Sequence, residues 1–305
     1  MFIYFILAPT PDLLIKTKLS PPLSLILIIL FAFVVLFLMA QLFYSSGKAL
    51  ASDLPDYGNK LKDMLDELKN RIELPGGGAF DPLAWVDSLD VTKVGAFLLN
   101  SLGTFVSFVS TIFLVLIFLI FMLAGRGKLN DKIRRFSPHP RRSDQIIEIV
   151  GNIDRQVQKY LVIKTAISVA SGVISLVVFL AFGLRYAILW AFITFVLNYI
   201  PNIGSFISKI LPFGFAILQF GRVWPAVWML AILVVTDAIT GSFIEPRVMG
   251  KGLGLSPLAI LISLFFWGWL WGIPGMILAV PIMVVMKIIA SNFESLRWFE
   301  ALLSK

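Results

Sequence analysis

From Leu23 to Phe43 the chain carries no charged residue for 21 positions, and from Phe97 to Ala124 it carries none for 28. About 20 apolar residues in a helix cross the roughly 30 Å hydrocarbon core of a bilayer. Both runs are therefore read as transmembrane helices, which limits the chain to folds that pair every backbone N–H and C=O inside the span. Further apolar runs cover Ala166–Leu184, Tyr186–Ser208, Ile210–Gly221, Val223–Thr236, Pro257–Trp271 and Ile273–Met286. The expected fold is an all-α, polytopic integral membrane protein of about seven or eight hydrophobic helical segments. Hydrophobic residues are 58% and charged ones 14% of the 305 positions, against about 25% charged in soluble domains.

The chain has no Cys and one His, His139. A disulfide framework, a thiolate metal site and Cys or Ser–His nucleophilic catalysis lack their residues. No metal, cofactor or catalytic residue is expected. "GRGKLN" lacks the spacing of a phosphate-binding loop, so nucleotide hydrolysis is not expected either.

The net charge of +8 is distributed by side. Lys and Arg gather in cytoplasmic loops, because translocating them is disfavoured. Residues 125–160 hold nine of them, including Arg134, Arg135, Arg141 and Arg142, against four acids. This segment reads as a cytoplasmic loop and amphipathic helix; nucleic acid is not expected as a partner, and the positive-inside bias accounts for the charge. Residues 44–96, one span earlier, hold six basic and nine acidic residues and read as extracytoplasmic. Lys16 and Lys18 place the start inside, with the Leu23 helix as an uncleaved anchor. Lys287, Arg297 and Lys305 place the end inside. Five crossings after Gly183, or three and a re-entrant hairpin, both satisfy that parity. The expected division is 1–43, 44–96, 97–124, 125–160, a transport region at 161–290 and a cytoplasmic tail at 291–305.

In the external segment Leu54, Tyr57, Leu61, Leu65, Leu68 and Ile72 recur at steps of three and four, the stripe of one amphipathic helix. Ser52 or Asp53 would cap it and "PGGG" at 75–78 would stop it. A second run, with Ile146, Val150, Ile153, Val157 and Leu161, leads from Ser143 into the membrane. Lys164, one turn inside, is expected to snorkel to the interface.

Two apolar hairpins are broken by Pro and Gly. In the first, Pro201 and Gly204 interrupt the run, beside Asn198, Asn202, Ser205, Ser208 and Lys209. Interrupted helices at membrane depth mark solute sites in secondary transporters, whereas a tight surface turn needs no ligand. In the second, "GIPG" brings together Gly272, Pro274 and Gly275, and Gly268 with Gly272 would allow close helix contact. Trp267, Trp269 and Trp271 fit an interfacial belt. Asp237, in an apolar run, must face a cavity, water or a partner. Asp237 and Glu245 would share a helix face only if the helix passed through Gly241. Glu245, Arg247 and Lys251 lie in "GSFIEPRVMGKGLGLSPL", read as a cytoplasmic turn whose Gly250, Gly252 and Gly254 act as a hinge.

Four motifs, "KYLVIKTAISVASGVI", "FVLNYIPNIGSFI", "IEPRVMGKGLGLSPL" and "FFWGWLWGIPGMILAVPIMVVMKII", in this order resemble the autoinducer-2 exporter family of bacterial inner-membrane proteins, over about Leu7–Leu302. Members commonly carry a hydrophobic pair before the segment that here reads "FILAPTPDLLIKTKLSPPLSL", and this chain is read as beginning partway through that pair, so either the true start lies upstream or this is a shortened member lacking the usual first hydrophobic segment. Gly241 and Ser242 stand where the family has Gly-Asn. The resemblance implies a homo-oligomeric transporter, with a pentamer as one arrangement, in the lipid bilayer. It implies export of a small polar solute, with sodium or lithium/proton antiport as the alternative. A third reading is an envelope or scaffold protein recruiting partners through its outer helix. The expected pathway residues are Asn198, Pro201, Asn202, Gly204, Ser205 and Lys209, with Asp237, Glu245 and Arg247 for coupling or gating.

Overall fold

A computed structural model describes residues 21–71, 133–135, 140–201, 203–249 and 254–304. The span expected at 97–124, the "PGGG" stop, and Asn202, Gly250 and Gly252 lie outside the described residues. Within them the regular elements are all helical: α1 Pro21–Arg71, α2 Pro140–Ala181, α3 Ala187–Leu197, α4 Ile203–Phe220, α5 Val223–Ile239, a π-helical turn at Thr240–Ile244, α6 Glu245–Met249, α7 Pro257–Trp271, α8 Ile273–Asn292 and α9 Arg297–Leu303. Among the described residues, four stretches are long and apolar enough to cross a membrane by length and composition: Pro140–Ala181, Ile203–Phe220, Val223–Ile244 and Ile273–Asn292.

The first difference from expectation is in α1, which runs for 51 residues without a break. At about 1.5 Å per residue it is far longer than a bilayer is thick, so its two ends cannot both lie in one membrane. Ser52 does not cap a new helix, because its hydroxyl bonds back to the Ala49 carbonyl at 2.8 Å. Packing holds the helix together through Pro55: Leu50 and Tyr57 are buried in one core cluster with Phe179, Trp190, Phe215 and Met229. Polar contacts reinforce that dock. Asp53 accepts from the Tyr186 hydroxyl and lies 3.2 Å from the Arg185 guanidinium. Tyr186 has φ 58°, in the left-handed region that costs a non-glycine residue energy. Burial and the Asp53 carboxylate push its phenol pKa upward, so the ring keeps the proton it donates. Tyr186→Phe removes this bond, and thermal unfolding in detergent should show a loss of about 1 kcal/mol.

The two broken hairpins share one construction. In α3–α4, Gly204 lies so close to α3 that an added Cβ would stand 1.8 Å from the Leu197 carbonyl oxygen. In α7–α8, a Cβ on Gly275 would stand 1.9 Å from the Trp267 carbonyl oxygen. Gly272 is the turn residue, with φ 67°. A Cβ on Gly272 would meet nothing within 4 Å, so the close-contact partner of Gly268 is the Met276 side chain of α8 and not a Gly268–Gly272 seam. The second arms each carry an internal proline, Pro212 and Pro281, both buried. The first tip also packs against the arms of the second hairpin: Ile200, Leu264 and Ala279 form a buried cluster flanked by Leu197, Ile203, Trp267 and Met276. Trp267 therefore serves as packing and stacks on Trp271 at 4.7 Å, while Trp269 is 83% exposed, as a belt residue would be.

The third cluster joins α2, α7, α8 and α9 through Leu161, Ala259, Val280, Val284 and Leu303. There the C-terminal end docks on the loop before α7: Leu255 and Ser304 form a β-bridge, and Ser256 N–H donates to the Leu303 carbonyl at 2.7 Å. Gly254, with φ 60°, accepts from Lys287 Nζ at 2.7 Å. This end of the expected hinge is thus tied down.

Candidate functional site

Helix α2 places Lys164, Ser168, Ser171 and Ser175 at steps of four, three and four, one face of a helix. All four are buried, Lys164 at 5% exposure. In a span this apolar such a stripe must find polar partners.

The partners come from α3, α4 and the helix that begins as α5. The Lys164 ammonium donates to both Glu245 carboxylate oxygens, at 2.9 and 3.2 Å. Lys164 therefore does not snorkel: its nitrogen is held inside by a carboxylate 81 residues further along the chain. Asn198 Nδ2 donates to Ser168 Oγ at 3.0 Å. Lys209 Nζ donates to Asp237 Oδ2 at 2.6 Å and to the Ser205 carbonyl at 2.7 Å. Tyr199 donates to Thr165 Oγ1 at 2.9 Å.

Gly241 does not stop the helix. It passes through the π-helical turn Thr240–Ile244 into α6. Eight residues of regular α-helix would leave Asp237 and Glu245 about 80° apart around the axis. The wider i→i+5 turn takes up much of that difference and carries Glu245 back toward the side bearing Asp237. Thr240 Oγ1 donates to the Thr236 and Asp237 carbonyls at 3.0 and 3.1 Å, holding the entry to the wide turn.

Beside the Lys209–Asp237 pair is a small cavity lined by Ser171, Ser175, Thr194, Ser208, Thr236 and Thr240, with about 20 Å³ open to the centre of a water molecule. That is room for about one water. Ser171 Oγ, fully enclosed there, has no hydrogen-bond partner among the described residues.

Of the expected residues, the fold thus brings together Lys209, the Ser205 carbonyl and Asp237, with Ser208 beside them. It sets Asn198 and Glu245 along the same α2 stripe. Pro201 and Gly204 build the turn instead. The Ile203 and Gly204 N–H groups bond to the carbonyls of Pro201 and Ile200, at 2.6 and 3.1 Å, so these two donors of the tip are satisfied internally. Arg247 is exposed, its guanidinium 6.0 Å from the Phe243 ring centre. Lys164, Ser168, Ser171, Ser175, Thr194, Thr236 and Thr240 were not among the expected site residues. The period of Lys164, Ser168, Ser171 and Ser175 within an apolar run is the signal that finds the α2 set.

Buried ion pairs and a hydroxyl-lined seam among membrane-crossing helices define a multi-pass membrane protein of the transporter class. The chain belongs to the AI-2E family transporter group, which matches it over residues 1–295. It is 34% identical to the AI-2 transport protein TqsA of Escherichia coli (strain K12) over 292 residues, 94% of this chain and 82% of that one. It is 31% identical to a putative transport protein of Haemophilus influenzae over 304 residues, 94% and 83% of the two chains. It is 27% identical to the putative permease PerM of Escherichia coli (strain K12) over 266 residues, 86% and 74% of the two chains. The chain is accordingly a membrane transporter resembling autoinducer-2 exporters.

Proposed function

We propose that the chain exports a small polar solute through the seam between α2, α4 and α5–α6, driven without nucleotide hydrolysis. The observation that supports this most is the polar face of α2. Lys164, Ser168, Ser171 and Ser175 are buried opposite two carboxylates, and such a face costs energy in hydrocarbon unless it is used. In this reading the two ion pairs act as gates. Each bars the seam while closed, and each exposes a carboxylate and an ammonium for a hydroxylated solute when the helices part. Residues 161–290 carry the transport region. The protein sits in the inner membrane as a homo-oligomer with both termini cytoplasmic, an orientation favoured by the basic residues at 125–160.

A suitable first solute is autoinducer-2, which the E. coli relative is named for. Proteoliposomes loaded with it should release it faster than empty-membrane controls, and an imposed proton gradient tests coupling. Asp237→Asn and Glu245→Gln weaken the charge at each gate and should change the flux tenfold or more. Equal flux from wild type and both variants would rule the seam out as the route.

A further inference from the structure

The Lys209 side chain ends where a cation would otherwise be expected. Its ammonium is held by two oxygens, Asp237 Oδ2 at 2.6 Å and the Ser205 carbonyl at 2.7 Å. The adjoining cavity is walled mainly by apolar surface, including Ile174 and Leu233, and its polar edge is made by further hydroxyls. Several of these hydroxyls have already spent their protons on helix carbonyls: Ser208 on Ser205, Thr194 on Trp190, Thr236 on Ile232 and Leu233, Thr240 on Thr236 and Asp237. What they turn outward is lone pairs. Ser171 adds a buried hydroxyl with no partner among the described residues. A small cavity whose polar edge is hydroxyl lone pairs and one carboxylate suits a hard monovalent cation, by the preference of such ions for oxygen ligands.

We propose that Lys209 is a tethered cation that fills this alkali-metal-sized site, making the chain indifferent to Na+ and Li+. The inference rests on the reading of this seam as the transport route and concerns its ion specificity. An ammonium on a four-carbon stem neutralises Asp237 without leaving the protein, so no dissolved cation is needed to keep the carboxylate charged in the membrane. Lys209 is then a specificity-determining residue: shortening it opens the site and leaves Asp237 unneutralised.

The test is thermal unfolding of the purified full chain in detergent, in choline chloride, NaCl and LiCl at equal ionic strength. Wild type should melt at the same temperature in all three. Lys209→Ala should melt higher in NaCl or LiCl than in choline chloride, by about 5 °C at a hundredfold excess over the dissociation constant. If Lys209→Ala folds only when Na+ or Li+ is present, the proposal is equally supported. Lys209→Ala/Asp237→Asn, which removes both charges, should lose the selectivity. The proposal is overturned if wild type shows the same selective rise, if Lys209→Ala melts alike in the three salts or folds in none of them, or if the double variant keeps the rise. The readout is binding and not flux. A negative result here leaves the transport route standing, and a failed flux assay leaves the melting result readable.

Discussion

Lys164→Met, with Glu245 left in place, is expected to destabilise the protein by about 3–5 kcal/mol, because it strands a carboxylate in the membrane-crossing bundle without its cation. The Lys164 side chain is 6% exposed and that of Glu245 25%. The stranded carboxylate is thus the more exposed of the two groups, which holds the cost toward the lower end of that range. Glu245→Gln should cost at least as much, since it leaves the more deeply buried Lys164 ammonium without a counter-charge, even though the amide oxygen still accepts one hydrogen bond from it. The double change Lys164→Met/Glu245→Gln should recover much of the loss, as replacing both members of a buried pair often does. The measurement is a double-mutant cycle on unfolding of the reconstituted or detergent-purified chain. A coupling energy near zero, with the two single changes simply adding, would mean that the pair is not formed. Beyond stability, the pair joins α2 to the beginning of α6, directly after the wide turn. Its loss should free the segment that follows Glu245 while leaving the Lys209–Asp237 contact in place.

Much of this was legible in the sequence, and the reason is the period of apolar residues. Charge-free runs set the membrane class, and the Pro–Gly interruptions located both hairpin tips to within a residue or two. Asp237 and Glu245 stood out because carboxylates are costly in such runs. Other features needed three dimensions. That Lys164 turns inward depends on a partner 81 residues away, and a single lysine near the end of a span reads equally well as snorkelling. The serines of α2 are small and individually unremarkable, and only their shared face with Lys164 makes them a set. The passage of the helix through Gly241 was obscured by the glycine itself, since a wide turn has no residue signature of its own. In the second half of α1, packing of Leu50 and Tyr57 decided against a helix start that Ser52, Asp53 and Pro55 all favoured by local preference.

The glycines at the two tips should be the least replaceable residues in the described bundle. Gly204→Ala and Gly275→Ala each put a methyl group into a backbone carbonyl, at 1.8 Å from Leu197 and 1.9 Å from Trp267. A side chain in the way could rotate; a helix carbonyl cannot, so the hairpin arms must separate. Separation opens the cluster in which Ile200, Leu264 and Ala279 are buried, and because that cluster joins the two hairpins, damage in one reaches the other. The expected loss is about 3 kcal/mol or more for either change, at the upper end for overpacking. It should appear as a fall in the yield of monodisperse protein and in its melting temperature. Gly214 and Gly241 supply the control, since a Cβ at either meets nothing within 4 Å. Alanine there should leave stability unchanged or raise it by up to about 1 kcal/mol through helix preference. Gly204→Ala behaving like Gly214→Ala would mean the first tip is not closed as described. The same equality between Gly275→Ala and Gly241→Ala would dismiss the shared construction of the two hairpins.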